Sequence, residues 1–329
     1  MADIVLGLGS SHSPQLSTPS EMWLPYGEGD KRHQELWAAD GKPYSFEELL
    51  STVDRAVIDK ELGADTMETR YQACQQGIAT LGSTLEATAP DIVVMIGDDQ
   101  LELFNEGNMP AMLVYWGDTL RNVPVNIPDA APAFRKANAW GWFADREIDY
   151  PIASDLGRHI IEYLVDQKFD VSHSRRLPDG QGMGHAFGYL YQRILRQKPI
   201  PALPIMVNTY YPPNQVTPQR CYELGQAVRA AIQEWKNDAR IAVVASGGLS
   251  HFVIDEDLDH QVLKAMENRD AGALASIPRD KLNSGNSEIR NWIAVAGAVE
   301  HLDMKVVDYV PCYRSPAGTG CAMGFAQWT

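Results

Sequence analysis

The chain has 329 residues, 45% hydrophobic and 22% charged, which is the balance of an ordinary globular protein. Its formal net charge of −15 carries no basic block and repels a phosphate backbone, so nucleic acid is not an expected partner. No apolar stretch reaches roughly 18 residues, and Met1-Ala2-Asp3-Ile4-Val5 lacks the basic-then-apolar pattern of a leader, so the reading is no membrane span and a cytoplasmic location.

In chain order, the first predicted strand covers 3–8 and runs into Gly9-Ser10-Ser11-His12-Ser13-Pro14. Residues 15–63 follow, rich in aromatic and polar groups (Trp23, Tyr26, Trp37, Tyr44, Phe46) and without an expected strand. Inside them Ser45-Phe46-Glu47-Glu48 has capping-box spacing ahead of Leu49-Leu50. Strands are predicted at 91–97 and 112–116, then a second irregular stretch at 117–151. A helix capped by Ser154 carries Leu156, Ile160, Ile161, Leu164 and Val165 at helical spacing. A strand at 169–173 precedes the glycine-flanked turn Gly182-Met183-Gly184-His185-Ala186-Phe187-Gly188. Next come a strand at 203–208 and a helix from the cap Thr217, with Pro218 at its first position, to about Trp235. The strand 240–246 leads into Ser246-Gly247-Gly248-Leu249-Ser250-His251, and the last predicted strand is 304–310.

Several of these strands are continuous apolar runs, as expected where both faces are covered. Their alternation with helices predicts an α/β layered fold with a largely parallel central sheet, as one domain over 1–329. The stretches 15–63 and 117–151 read as excursions from that sheet. Excursions of such length serve as lids or partner surfaces. The four cysteines (Cys74, Cys221, Cys312, Cys321) show no C-x-x-C spacing and read as free thiols.

Several motifs are absent. Gly7-Leu8-Gly9-Ser10-Ser11-His12 begins like a dinucleotide fingerprint, but histidine stands where the third glycine allows close helix packing. No phosphate loop, Gly-x-Ser-x-Gly elbow or His-Glu-x-x-His is present. What remains is histidine and carboxylate. His12 and His251 each follow a buried strand and small residues, and in open α/β sheets ligands bind outside the carboxyl ends of strands. Glycines on both sides let the backbone bring His185 close to a ligand. His33, His159, His173, His260 and His301 read as ordinary strand-end, loop and helix-flank residues. Glu288 opens a helix, where an acid complements the dipole. On sequence alone that reading of Glu288 is preferred; the alternative joins it with His12 in a histidine–carboxylate iron site with open positions.

Taken together, these landmarks resemble the class III extradiol ring-cleavage dioxygenases, in particular the protocatechuate 4,5-dioxygenase β-subunit family. The resemblance rests on Gly9-Ser10-Ser11-His12, Pro90-Asp91-Ile92-Val93-Val94-Met95-Ile96-Gly97-Asp98-Asp99-Gln100 and Gly184-His185. It continues through Val207-Asn208-Thr209-Tyr210-Tyr211-Pro212-Pro213, Gly247-Gly248-Leu249-Ser250-His251 and the helix start from Glu288 to Trp292. It implies Fe(II) ligation by His12 and Glu288, acid–base work by His251 and hydrogen bonding to substrate by His185. The implied partners are a catechol-type aromatic and O2, with a homo-oligomer or a small accessory subunit.

Gln100 stands where the family places its second iron-binding histidine, so Gln100 and its neighbour Asp99 are candidate replacements at the metal. Tyr210, Tyr211 and Arg314 are candidate substrate contacts, and 15–63 a candidate lid or dimer contact. Two other readings stay open. One is an enzyme of the same fold with an altered or absent metal site, acting on a phenolic or heteroaromatic compound. The other is a non-catalytic partner subunit.

Overall fold

The computed structural model describes residues 1–329. Nine strands form one sheet: β1 (Asp3–Ser10), β2 (Ile92–Gly97), β3 (Met112–Tyr115), β4 (Ser172–Ser174), β5 (Ala202–Val207), β6 (Arg240–Ser246), β7 (His251–Val253), β8 (Met304–Tyr313) and β9 (Thr319–Trp328). Their order is β7-β9-β1-β6-β2-β5-β3-β4, with β8 on the other side of β9. The central run β1-β6-β2-β5 is parallel. Antiparallel pairs flank it, β9 against β1 on one side and β3 against β5 on the other.

Strand parity sorts the side chains into two cores. Ile92, Val94 and Ile96 face the helices Ser154–Asp166, Pro218–Glu234 and Ile289–Ala298, while Val93 and Met95 face the helix Ala64–Thr88. Each fully buried Leu, Ile or Val contributes about 1.5–3 kcal/mol through removal from water. Parallel strands covered on both faces therefore hold the platform rigid.

Most sequence expectations match. Thr217 caps its helix, accepting from Arg220 N, and Ser45 with Glu48 forms the capping box. Ser154 differs: it is the first helical residue, and its hydroxyl donates to Gly117 O at 2.6 Å rather than capping. The strand expected at 169–173 is shifted to Ser172–Ser174. Residues 15–63 contain a two-residue hairpin, Leu36–Trp37 with Pro43–Tyr44, where no strand was expected. All four cysteines are free and buried. No helix is long and apolar enough to cross a membrane.

Register decides where the chemistry lies. Ser10 pairs with Ser246 across β1 and β6, and Ala245 with Ile96 across β6 and β2. Three adjacent parallel strands thus end level with one another. Their continuations, 11–13, 247–251 and 98–100, share one edge of the sheet.

Candidate active site

His12 is the first side chain delivered to that edge, and it is buried. Its Nδ1 lies 3.0 Å from Ser246 Oγ, whose own proton goes to Ala186 O at 2.6 Å. The imidazole must therefore donate to Ser246 from Nδ1, and Nε2 is left facing inward. Trp142, from the 117–151 excursion, donates its indole N–H to His12 O at 3.1 Å and fixes the loop from outside.

Glu288 is the hub. It ends the short turn Ser284–Glu288 at the start of the helix Ile289–Ala298, yet its side chain makes no helix cap. Oε2 lies 3.0 Å from His12 Nε2 and accepts from Gly248 N at 2.5 Å. Oε1 accepts from Gln100 Nε2 at 2.8 Å and faces His251 Nε2 at 3.4 Å. Burial opposes ionisation, but the imidazoles of His12 and His251 outweigh it and hold the carboxyl well below the usual range. Macrodipole complementarity is thus a minor part of this residue's role.

His185 and His251 are pinned in the same manner. His185 starts its helix after Gly184; its Nδ1 lies 2.7 Å from Glu102 Oε2 and its backbone N–H donates to the same carboxylate. Nε2 points to His12 Nε2 at 3.2 Å. Burial lowers the affinity of His185 for a proton, but the Glu102 carboxylate outweighs this and pushes the pKa up to about 10. His251 donates from Nδ1 to Leu249 O at 2.8 Å, so Nε2 again faces inward. Burial opposes its protonation too, and Glu288 prevails, pushing the pKa up to about 9.

The His251 ring lies in a slot between two glycines. A Cβ at Gly248 would fall 2.5 Å from its Cε1, and one at Gly285 would collide with the ring and with His251 O. Beneath the slot, Asp259 accepts from Ser250 N (2.8 Å), Ser250 Oγ (2.6 Å) and Tyr309 OH (2.8 Å). Burial outweighs those hydrogen bonds and pushes the Asp259 pKa up to about 7.

At the end of β2, parity decides which carboxylate enters. Asp98 continues the face of Ile92, Val94 and Ile96 and is wholly buried. One of its oxygens accepts from Asn291 Nδ2 at 2.9 Å, and the other, Oδ2, has no partner. Desolvation, and then the charge of Glu288, push its pKa up to about 6. Asp99 points the opposite way. Its carboxylate accepts from the backbone N–H groups of Glu102, Leu103 and Phe104, so the candidate of the Asp98-Asp99 doublet that reaches the cluster is Asp98. Gln100 does reach Glu288, as a hydrogen-bond donor.

Donor atoms of His12, Asp98, His185 and Glu288 lie within 4.8 Å of one another. Two inward imidazole nitrogens, two buried carboxylates and an orphaned oxygen among them fit a divalent cation of the kind that accepts mixed N and O donors. The pinned Nδ1 atoms are the outer contacts that orient metal-binding imidazoles.

The remaining candidates divide. Tyr210, on the loop after β5, lies 3.2 Å from Ser284 Oγ at the rim, and its ring packs 5.3 Å from that of Tyr211. Burial raises the pKa of both phenols, with the carboxylates of the cluster adding to it. Arg314 is elsewhere engaged: its guanidinium is 1% exposed, forms two 2.8 Å bonds to Asp30 and a third to Gln15. That pair bolts residues 15–63 to the turn between β8 and β9 and buries the guanidinium away from the cluster. His33, at 4.3 Å from the Phe252 ring, His159, His173, His260 and His301 lie outside the cluster. Sequence reasoning missed Asp98, Glu102, Ser246 and Asn291; only Asp98 left a signal, in strand parity.

The family described as the catalytic LigB subunit of aromatic ring-opening dioxygenase matches residues 60–322. A gallate dioxygenase of Pseudomonas putida is 36% identical over 180 residues, 51% of each chain. A 2,3-dihydroxyphenylpropionate/2,3-dihydroxicinnamic acid 1,2-dioxygenase of Comamonas testosteroni is 25% identical over 179 residues, 54% of this chain and 49% of its own. One of that name from Cupriavidus necator is 30% identical over 126 residues, 37% of this chain and 38% of its own. The chain spans about half the length of the first two of these relatives, and less of the third.

Proposed function

Since the chain belongs to the family of catalytic LigB subunits of aromatic ring-opening dioxygenases, we propose that it cleaves the ring of a catechol-type aromatic with O2, beside rather than between the hydroxyls, to a ring-opened semialdehyde acid. The observation that carries this reading is the convergence of inward Nε2 atoms on Glu288, with His12 at 3.0 Å and His251 at 3.4 Å. The names of the relatives, gallate and 2,3-dihydroxyphenylpropionate dioxygenases, support a vicinal-hydroxyl substrate, including carboxylated ones.

In this reading His12 and Glu288 hold a ferrous ion. Bound there, iron supplies a common point at which catechol and O2 are held together and charge passes between them. The protein's own groups do the rest. His251 Nε2 exchanges a proton with a substrate hydroxyl as the ring opens, with Nδ1 held on Leu249 O. His185, its Nδ1 anchored on Glu102, presents Nε2 to a substrate oxygen. Tyr210 and Tyr211 line the approach. Residues 15–63, bolted by Asp30 to Arg314, close the His251 side, where the His33 ring lies tilted 4.3 Å from that of Phe252. A cytoplasmic homo-oligomer, with or without a small accessory subunit, completes the proposal.

Oxygen uptake tests it. The Fe(II)-reconstituted protein is offered catechols, gallate and protocatechuate, with the His12→Ala protein as control. At least one compound should drive uptake, and the substitution should lower the rate by a factor of about 10³ or more, the scale on which a metal's contribution is lost. Turnover indifferent to chelation and to anaerobiosis would favour metal-independent chemistry on the same scaffold.

A further inference from the structure

Gln100 meets the cluster through its amide N–H. Its amide N–H is spent on Glu288 Oε1 at 2.8 Å. Gln100 therefore orients an anionic side chain rather than replacing an imidazole. Asp98, two residues earlier on the same strand face, has the opposite character. Its side chain is wholly buried, one oxygen is steadied by Asn291 at 2.9 Å, and Oδ2 has no hydrogen-bond partner. Asn291 lies three residues after Glu288 on the helix Ile289–Ala298, so one helix face orients both carboxylates. A buried carboxylate oxygen without a donor costs far more than one that is paired. Asp98 offers a carboxylate oxygen within 4.8 Å of donor atoms of a second buried carboxylate and two imidazoles.

We propose that Asp98 is the third metal-binding side chain of this chain, taking with His12 and Glu288 the place that Gln100 leaves open. The inference rests on the ferrous reading above and deepens it. One imidazole with two carboxylates carries two negative charges, which neutralise a divalent cation within the protein. Two imidazoles with one carboxylate carry one negative charge. The resulting donor set is harder and favours oxygen-preferring cations. It also leaves His185 Nε2 free of the metal for a substrate oxygen.

Calorimetric titration with Fe(II) under anaerobic conditions, repeated with Co(II), tests the assignment independently of turnover. Three proteins are compared: wild type, Asp98→Asn and Gln100→Leu. Asp98→Asn should weaken binding by at least tenfold more than Gln100→Leu, because loss of an outer contact alone costs roughly 10–100-fold. The metal-free melting temperature provides the second measurement. Removing a buried charge that faces Glu288 should raise it, while the increment gained on adding metal shrinks. If Asp98→Asn does not fold, Asp98→Ser takes its place in both measurements. Equal losses in the two variants, or a greater loss in Gln100→Leu, would overturn the role of Asp98 and leave the ferrous reading intact. A wild-type protein that takes up neither metal would overturn the ferrous reading itself, and this inference with it.

Discussion

His185 and His251 approach Glu288 from different parts of the fold with the same ring orientation, yet they are held by different kinds of partner. The Nδ1 of His185 rests on the Glu102 carboxylate at 2.7 Å, and that of His251 on the Leu249 carbonyl at 2.8 Å. A carboxylate stabilises the charged ring and makes its proton hard to remove. A carbonyl fixes the tautomer without supplying a counter-charge. His185 thus has its counter-charge on the outer nitrogen, which suits it to holding still and donating from Nε2, whereas His251 has its counter-charge, Glu288, on the inner nitrogen that would exchange a proton. The atom behind each ring fixes its tautomer, while for His251 the Glu288 carboxylate in front is what holds the proton.

The sharpest way to break that contrast is His251→Gln. Removing the proton carrier should lower kcat by a factor of about 10² to 10⁴, while iron content measured on the same protein stays at the wild-type level. Unchanged kcat would move the acid–base role elsewhere. Glu102→Gln should act more gently. Losing a hydrogen bond between charged partners costs roughly 1.5–3 kcal/mol, expected as a 10–100-fold fall in kcat/KM, mostly through KM because His185 then holds substrate less well. A steady-state series in which kcat falls and KM does not would contradict the positioning role.

The smallest effect concerns the support under His251. Burial raises the Asp259 pKa to about 7, above the ordinary carboxylate range. Between pH of about 4 and 7 the unfolded chain loses this proton while the native one keeps it. The stability it contributes is full below that window and is lost as pH rises through it. Asp259→Asn should flatten this slope in denaturant melts taken at successive pH values, and parallel slopes for the two proteins would refute it.

Much of the candidate site was legible in sequence because its histidines sit just past apolar strands, where a polar ring has no packing reason to be. Asp98 was accessible to the same reasoning. Side chains alternate along a strand, so extending the Ile92, Val94, Ile96 series selects Asp98 and Gln100 and turns Asp99 away. Glu102 left no such trace, since only the folding of two loops brings it to His185 from 83 residues away. Arg314 misled for the converse reason: a charge in a small-residue turn resembles a ligand contact until its buried partner, Asp30, is known. Losing either partner of such a pair costs about 3–5 kcal/mol.

The architecture shows the same division. Strong apolar runs marked the parallel centre of the sheet. The strand β9 escaped because Gly320 and Gly324 interrupt its pattern where the Cys312 carbonyl and Leu249 press against the backbone. The helix Ala64–Thr88 escaped because its buried stripe, Met67, Cys74, Ile78, Leu81 and Leu85, is thinned by Gly77 and Gly82.

The two glycines beside His251 have a kinetic meaning. A ring walled in on both sides cannot turn over between successive encounters, so every arriving molecule meets the same nitrogen. At 248 and 285 only a hydrogen atom fits where a side chain would begin.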